Sequence, residues 1–375
     1  MGRVPEAEGK VLMNRKRMTL VAAMAVAVIG IATVRMNVSA ATDEPVPLDS
    51  TQVKLDRLDP AIDQIVPRGA KLERIATGFK WVEGPVWLSG TLYFAEIPSD
   101  SIRKWTPGAG VSMFLTPSGY EGHTPYGGPE PGSNGMTVDA RGRLTVAGHA
   151  QRDVYRFEEL NSTAQITILA DSYQGKKLNS PNDLVYRSDG SLYFTDPPYG
   201  LRTQSDSDAA KQLNVNGVYR IPHALEQGAG ATPARSELQL LVSDLTRPNG
   251  IAFSPDEKYL YVDNSEPKKI WMRYRVQTDG SLTDAKLFYD ATSDPRPGAP
   301  DGMKVDEKGN VYSTGPGGVW IFTPEGRPLG TIVMPEKSSN VAWGGADHKM
   351  LYMTASSGIY RVHLNIAGAP FVRGR

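Results

Sequence analysis

The chain has 375 residues, is 40% hydrophobic and 22% charged, and sets 41 basic against 41 acidic side chains. That composition belongs to a globular protein able to bury its own core, and it excludes both a disordered chain and a basic surface built for nucleic acid. Cysteine is absent, so no disulfide contributes, while Gly 38 and Pro 28 point to many turns.

The chain opens with a basic stretch, Asn14-Arg15-Lys16-Arg17, followed by an apolar run from Thr19 to Val34 and a small-residue pattern at Val38-Ser39-Ala40. Residues 1–40 therefore read as a secretory signal peptide cleaved near Ala40, the apolar run being short for a membrane span. An exported protein, periplasmic or secreted, with no stable membrane span after cleavage, is expected. Residues 41–70 read as an N-terminal extension and residues 71–367 as the folded domain.

From about residue 70 one pattern recurs. A polar residue opens a short apolar strand, a turn follows, and a strand rich in aromatic and β-branched residues comes next. The copies open at Glu83, Asn134, Asn182, Asn249, Asp301 and Asn340, spaced 39 to 67 residues apart. Each continues to a third strand, such as Val154-Tyr155-Arg156-Phe157 or Gly318-Val319-Trp320-Ile321-Phe322. Five copies add a weaker fourth strand, such as Ile166–Leu169 or Leu238–Val242. The sixth copy lacks one, and a surplus strand, Lys71–Ala76, stands at the other end of the domain. Six units of four short strands predict an all-β fold, a six-bladed β-propeller of four-stranded blades closed by the N-terminal strand.

In such a ring the innermost strands start at one end of the axis, so the six opening residues meet at one mouth. All six carry a side-chain oxygen, and two, Glu83 and Asp301, are carboxylates. Hard oxygen donors with charge to balance suit one divalent cation: calcium first, with magnesium, manganese or zinc as alternatives. Asn340, which lacks the following Gly, reads as structural.

The strings EGPVW, SNGMTVDARGRL, LNSPNDLVYRSDGSLYFTDPPYG, RPNGIAFSPDEKYLYV and PDGMKVDEKGNVY resemble the gluconolactonase and senescence marker protein (regucalcin) family, over about residues 70–367. The resemblance implies a six-bladed propeller that hydrolyses sugar lactones with a bound divalent metal. It carries over Glu83, Asn249 and Asp301 as metal ligands. It places Asn182 beside the metal, as ligand or substrate contact. Asn134, Asn182 and Asp183 are expected on the substrate side, with Asp183 supporting Asn182. The substrate-binding Arg and Glu of the animal proteins have no secure match, which leaves the sugar unspecified.

Lactone hydrolysis needs a polarised carbonyl, a nucleophilic water and a proton for the ring oxygen. A cation supplies the first, and calcium acidifies water weakly, so a base is wanted. Asp301 is the expected base, with a metal-held water as the alternative, and His149 is the expected proton shuttle. The Pro- and Gly-rich stretch Pro117–Gly132 reads as a lid or a surface loop. Asp196 caps a turn or reaches the pocket with Tyr199, and Asp263 and Glu266 read as blade edge or loop. A small-molecule lactone is the expected partner. A phosphotriesterase-like hydrolase in the same pocket and a non-enzymatic calcium-binding module are the competing readings.

Overall fold

Each of the six sequence copies folds as an antiparallel sheet whose first strand lies innermost. The computed structural model describes residues 47–228 and 238–370; the expected signal peptide lies outside them. In chain order the blades are Val82–Leu88, Thr91–Glu96, Ser101–Thr106 and Gly110–Leu115; then Met136–Val138, Leu144–Gly148, Asp153–Glu159 and Ser162–Ala170; then Leu184–Tyr186, Leu192–Asp196, Gly217–Ile221 and Gln239–Val242. The fourth is Pro248–Phe253, Tyr259–Asn264, Ile270–Val276 and Leu282–Asp290, and the fifth Met303–Val305, Val311–Gly315, Gly318–Phe322 and Pro328–Val333. The sixth is Ser338–Gly344, Met350–Ala355 and Gly358–His363, completed by Lys71–Thr77 from the start of the domain. The fold is thus a six-bladed β-propeller, closed where Ile359 pairs with Ala76 and Arg361 with Glu73. Closure pairs the first strand of the domain with the last, so neither end of the ring is left as an open blade.

The repeat is visible in the hairpin turns. Asp139 Oδ1 accepts from the backbone N–H groups of Arg141 and Arg143, and Asp306 Oδ1 from those of Lys308 and Asn310, all at 2.9 Å. The carboxylate stands in for a backbone acceptor and fixes the turn between first and second strands. Between blades the third strands bury aromatic side chains. Trp271 packs on Phe322 with ring centroids 5.2 Å apart, and its indole N–H donates to Ser313 Oγ at 2.8 Å. Burying one such ring stabilises by up to about 3 kcal/mol.

The N-terminal extension is not a free segment. Asp49–Gln52 adds a fifth strand to the sixth blade, pairing with Lys71–Thr77. Leu55–Arg57 adds a fifth strand to the fifth blade, pairing with Pro328–Val333. A 3-10 turn, Pro60–Gln64, capped by Asp59, then buries Ile62 completely. Among the described residues the only other helical pieces are Ile97–Ser99 and Ala224–Glu226, and no helix is long and apolar enough to cross a membrane.

The inner strands line two cavities. The opening residues border one, and the far ends of the same strands, with Val138, Tyr186, Phe253, Val305 and Trp343, border a second, mainly apolar one.

Candidate active site

Glu83, Asn134, Asn182, Asn249 and Asp301 line one cavity of 380 Å³, joined by Trp81, Glu130, Tyr199, Glu266 and Lys337. Five of the six blade openings thus converge, as the repeat predicts. The sixth, Asn340, does not line the cavity but donates from Nδ2 to Glu83 Oε2 at 3.1 Å.

The openings are brought together by blade-to-blade backbone contacts. The Gly135 N–H donates to the Asn182 carbonyl at 2.7 Å, and Thr195 Oγ1 donates to the Asn249 carbonyl at 2.7 Å. The residue after the opening must leave room for the next blade. A Cβ on Gly135 would stand 2.4 Å from the Asn182 carbonyl oxygen, and one on Gly250 2.0 Å from that of Asp301. The Asn134-Gly135 and Asn249-Gly250 pairs are close-approach sites.

Each donor is held differently. Glu83 Oε2 also accepts from the Gly84 N–H at 2.8 Å. Burial pushes its carboxyl up to about 7 against these hydrogen bonds, with the charges of Asp183 and Glu130 adding to the rise. Burial, then the charges of Glu83 and Asp263, hold Asp301 well above the usual carboxylate range, while Lys337 pulls the other way. Asn249 Nδ2 donates to Ser265 Oγ at 3.1 Å, which itself donates to the Pro300 carbonyl at 2.8 Å. That leaves Asn249 Oδ1 buried with no donor among the described residues, and Asn134 Oδ1 is in the same position.

Asp183 and His149 stand elsewhere than the sequence suggests. Asp183 does not line the cavity. Its carboxylate is buried among the inner strands, with Oδ1 accepting from the Leu184 N–H at 2.8 Å and Lys304 Nζ 3.9 Å from Oδ2. His149 is completely buried and does not line the cavity either. Its Nδ1 lies 3.0 Å from the Pro181 carbonyl and its Nε2 2.9 Å from Glu130 Oε2, so Glu130 stands between the ring and the cavity. Asp196 caps the loop before Asn182, accepting from the N–H groups of Asn179 and Ser180 at 2.8 and 2.7 Å.

Sequence reasoning missed Trp81, Glu130 and Lys337, and read Glu266, which lines the cavity, as blade edge or loop. Lys337 Nζ sits 4.9 Å from the centre of the Trp81 ring. Glu130 belongs to the Pro117–Gly132 stretch, whose insertion into the repeat was the one signal available.

The arrangement has more negative than positive charge. Glu83, Asp183 and Asp263 are buried and Asp301 is half-buried; their charges repel, and each carboxyl is raised. Among the described residues no three His, Cys, Asp or Glu side chains cluster as a metal site. The set at the mouth is instead two carboxylates with neutral amide oxygens. Donor-less amide oxygens beside repelling carboxylates fit a hard divalent cation, which accepts amide oxygens readily.

The family model described as SMP-30/Gluconolactonase/LRE-like region matches residues 81–357. A gluconolactonase from Zymomonas mobilis is 38% identical, over 85% of this chain and 88% of its own. A solved gluconolactonase structure from Xanthomonas campestris aligns with TM-score 0.69 at 31% identity, covering 85% of this chain and 96% of that one. The calcium-binding protein regucalcin from Agrobacterium tumefaciens has TM-score 0.58 at 18% identity, over 80% and 93% of the two chains, a likeness of fold alone.

Proposed function

Because the chain belongs to the SMP-30/gluconolactonase/LRE-like family and is a lactone-hydrolysing enzyme, we propose that it opens small sugar-type lactones with one divalent cation, calcium, bound by Glu83, Asn182, Asn249 and Asp301. The observation that carries the cation is the buried Asn249 Oδ1, offered no donor among the described residues, on a residue that lines the same cavity as the carboxylates of Glu83 and Asp301. When bound, the cation polarises the lactone carbonyl as a Lewis acid.

The protein's own groups supply the rest. Asn182 and Asn134 present amide groups to the substrate at the mouth, and Asp183 supports the inner strand from below. Asp301 opens onto the cavity and takes a proton from the attacking water. Asn340 and the Gly84 N–H hold Glu83 in one orientation. Trp81 and Lys337 wall the rim. The enzyme is exported, periplasmic or secreted, on the strength of residues 1–40.

Chelator-treated protein, assayed on glucono-δ-lactone with and without added calcium, tests this reading. Turnover lost with the chelator and restored by one equivalent of calcium is expected. Full turnover in the chelated protein would remove the cation from the reaction. Faster turnover of a phosphotriester than of any lactone in the same panel would favour the phosphotriesterase reading.

A further inference from the structure

We propose that Glu130 is the acid that protonates the departing ring oxygen, and that His149 is a positioning residue that keeps a proton on it. The inference rests on the lactonase reading and concerns its second half, after water has attacked.

Hydrogen-bond bookkeeping carries it. The Pro181 carbonyl can only accept, so the Nδ1 of His149 facing it at 3.0 Å carries a hydrogen. A neutral imidazole then has a bare lone pair on Nε2. Yet Nε2 lies 2.9 Å from Glu130 Oε2, too close for a lone pair facing a carboxylate. The contact requires one further proton, on the imidazole or on the carboxyl. The pair therefore holds a proton that neither member needs alone. His149 is fully buried, while the Glu130 side chain is 20% exposed and lines the cavity with Glu83, Asn134 and Asp301. The cavity face of the pair is the carboxyl.

The surroundings keep this geometry. Ser118 and Gly119 N–H groups donate to Asp100 Oδ1 at 2.9 and 2.8 Å, and the Gly132 N–H donates to the Ile97 carbonyl at 3.0 Å, so the inserted stretch is tied at both ends. Tyr126 of the same stretch donates its hydroxyl to the Gly200 carbonyl. Gly200 packs on the imidazole, where an added Cβ would lie 2.7 Å from the ring.

The step balances. Water adds to the carbonyl carbon and gives one proton to Asp301. The bond from that carbon to the ring oxygen breaks, and its electron pair leaves with the oxygen. The oxygen takes the proton held between Glu130 and His149. The proton on Asp301 passes to solvent, the pair is reprotonated from solvent, and the product is a hydroxy acid.

The test varies the leaving group. δ-Valerolactone expels an alcohol, about as weakly acidic as water, and needs a proton donor. Dihydrocoumarin expels a phenol, with a pKa of about 10, and needs one far less. Glu130→Gln keeps a hydrogen bond to His149 but carries no acidic proton. Its kcat on δ-valerolactone is expected to fall about 10²-fold, and on dihydrocoumarin by less than about fivefold, with KM little changed on both. His149→Gln should show the same selectivity with a smaller loss. Equal losses on the two substrates, or no loss on either, would overturn Glu130 as the donor while leaving the lactonase reading standing. Wild-type protein that turns over neither of these nor glucono-δ-lactone would overturn both. Circular dichroism and melting temperature establish that each variant is folded, and Glu130→Ala, on a partly exposed side chain, repeats the comparison should Gln perturb the loop.

Discussion

The hydroxyl of Ser265 decides which end of the Asn249 amide faces the cavity. Ser265 Oγ spends its hydrogen on the Pro300 carbonyl and can only accept from Asn249, so Nδ2 is drawn to it and Oδ1 is left turned inward. The same hydroxyl thereby ties one opening residue to the segment carrying the next, Asp301.

Replacing Ser265 with Ala frees the amide without touching any proposed ligand. Calcium affinity, measured by titration calorimetry, should fall about tenfold or more, the usual cost of losing a partner that orients a ligand. Unchanged affinity would remove Asn249 from the ligand set.

The two carboxylates should separate by role. Asp301→Asn and Glu83→Gln each lose one charge and each bind calcium more weakly. At saturating calcium Glu83→Gln should recover most of its rate. Asp301→Asn should stay about 10²-fold slower, having lost the base as well as the charge. Initial rates across a calcium series make the comparison, and equal rescue of both variants would reduce Asp301 to a ligand.

Calcium binding should depend on pH in one direction. Burial first, then the nearby charges, raises Glu83 to about 7, so in the metal-free protein it holds a proton below that pH. A cation must expel that proton, which costs more as pH falls. The calcium-induced rise in melting temperature is therefore expected to be larger at pH 8 than at pH 5.5. Stability of the metal-free protein should itself decline as pH rises from the unfolded value of about 4.3 through 7, because the folded state holds the proton more tightly. A calcium shift that grows toward acid pH would contradict the proposed site.

Gly250→Ala should be severe for its size. One methyl group would press on the Asp301 carbonyl and on Asp263 Oδ2, at 2.0 and 2.7 Å. A loss of about 3 kcal/mol is expected from overpacking, read by denaturant titration. Calcium affinity should fall with it, since the carbonyl belongs to a proposed ligand. An Ala variant with wild-type stability and affinity would show that the two blades can part here at no cost.

The blades, their number and the ring of opening residues were legible because each inner strand repeats one physical problem: an apolar segment that starts at a polar mouth. Repetition made weak local signals into a strong one. Glu130 was not legible, because it sits in an insertion that no other blade copies. His149 was legible as a titratable residue near the mouth, but not its place behind Glu130, which depends on a contact between the ring and the backbone of the next blade. The strand Asp49–Gln52 left no trace for a different reason. All four of its residues are exposed, so it is joined by backbone hydrogen bonds and the Asp49–Arg74 ion pair and carries no apolar alternation.

The strand that closes the ring is among the first parts of the domain to be synthesised, and its partner is among the last. Arg361 and Glu73, which meet across that seam, are 288 residues apart in sequence. Until Gly358–His363 exists, the outer edge of Lys71–Thr77 can be covered by Asp49–Gln52 but its inner edge has nothing to pair with. A chain that stops early is left with two open strand edges, each a template for pairing with another chain. Joining first strand to last therefore works as a check on the domain: only one made through Gly358–His363 can cover both edges of Lys71–Thr77, and one that stops short is marked by the edges it still displays.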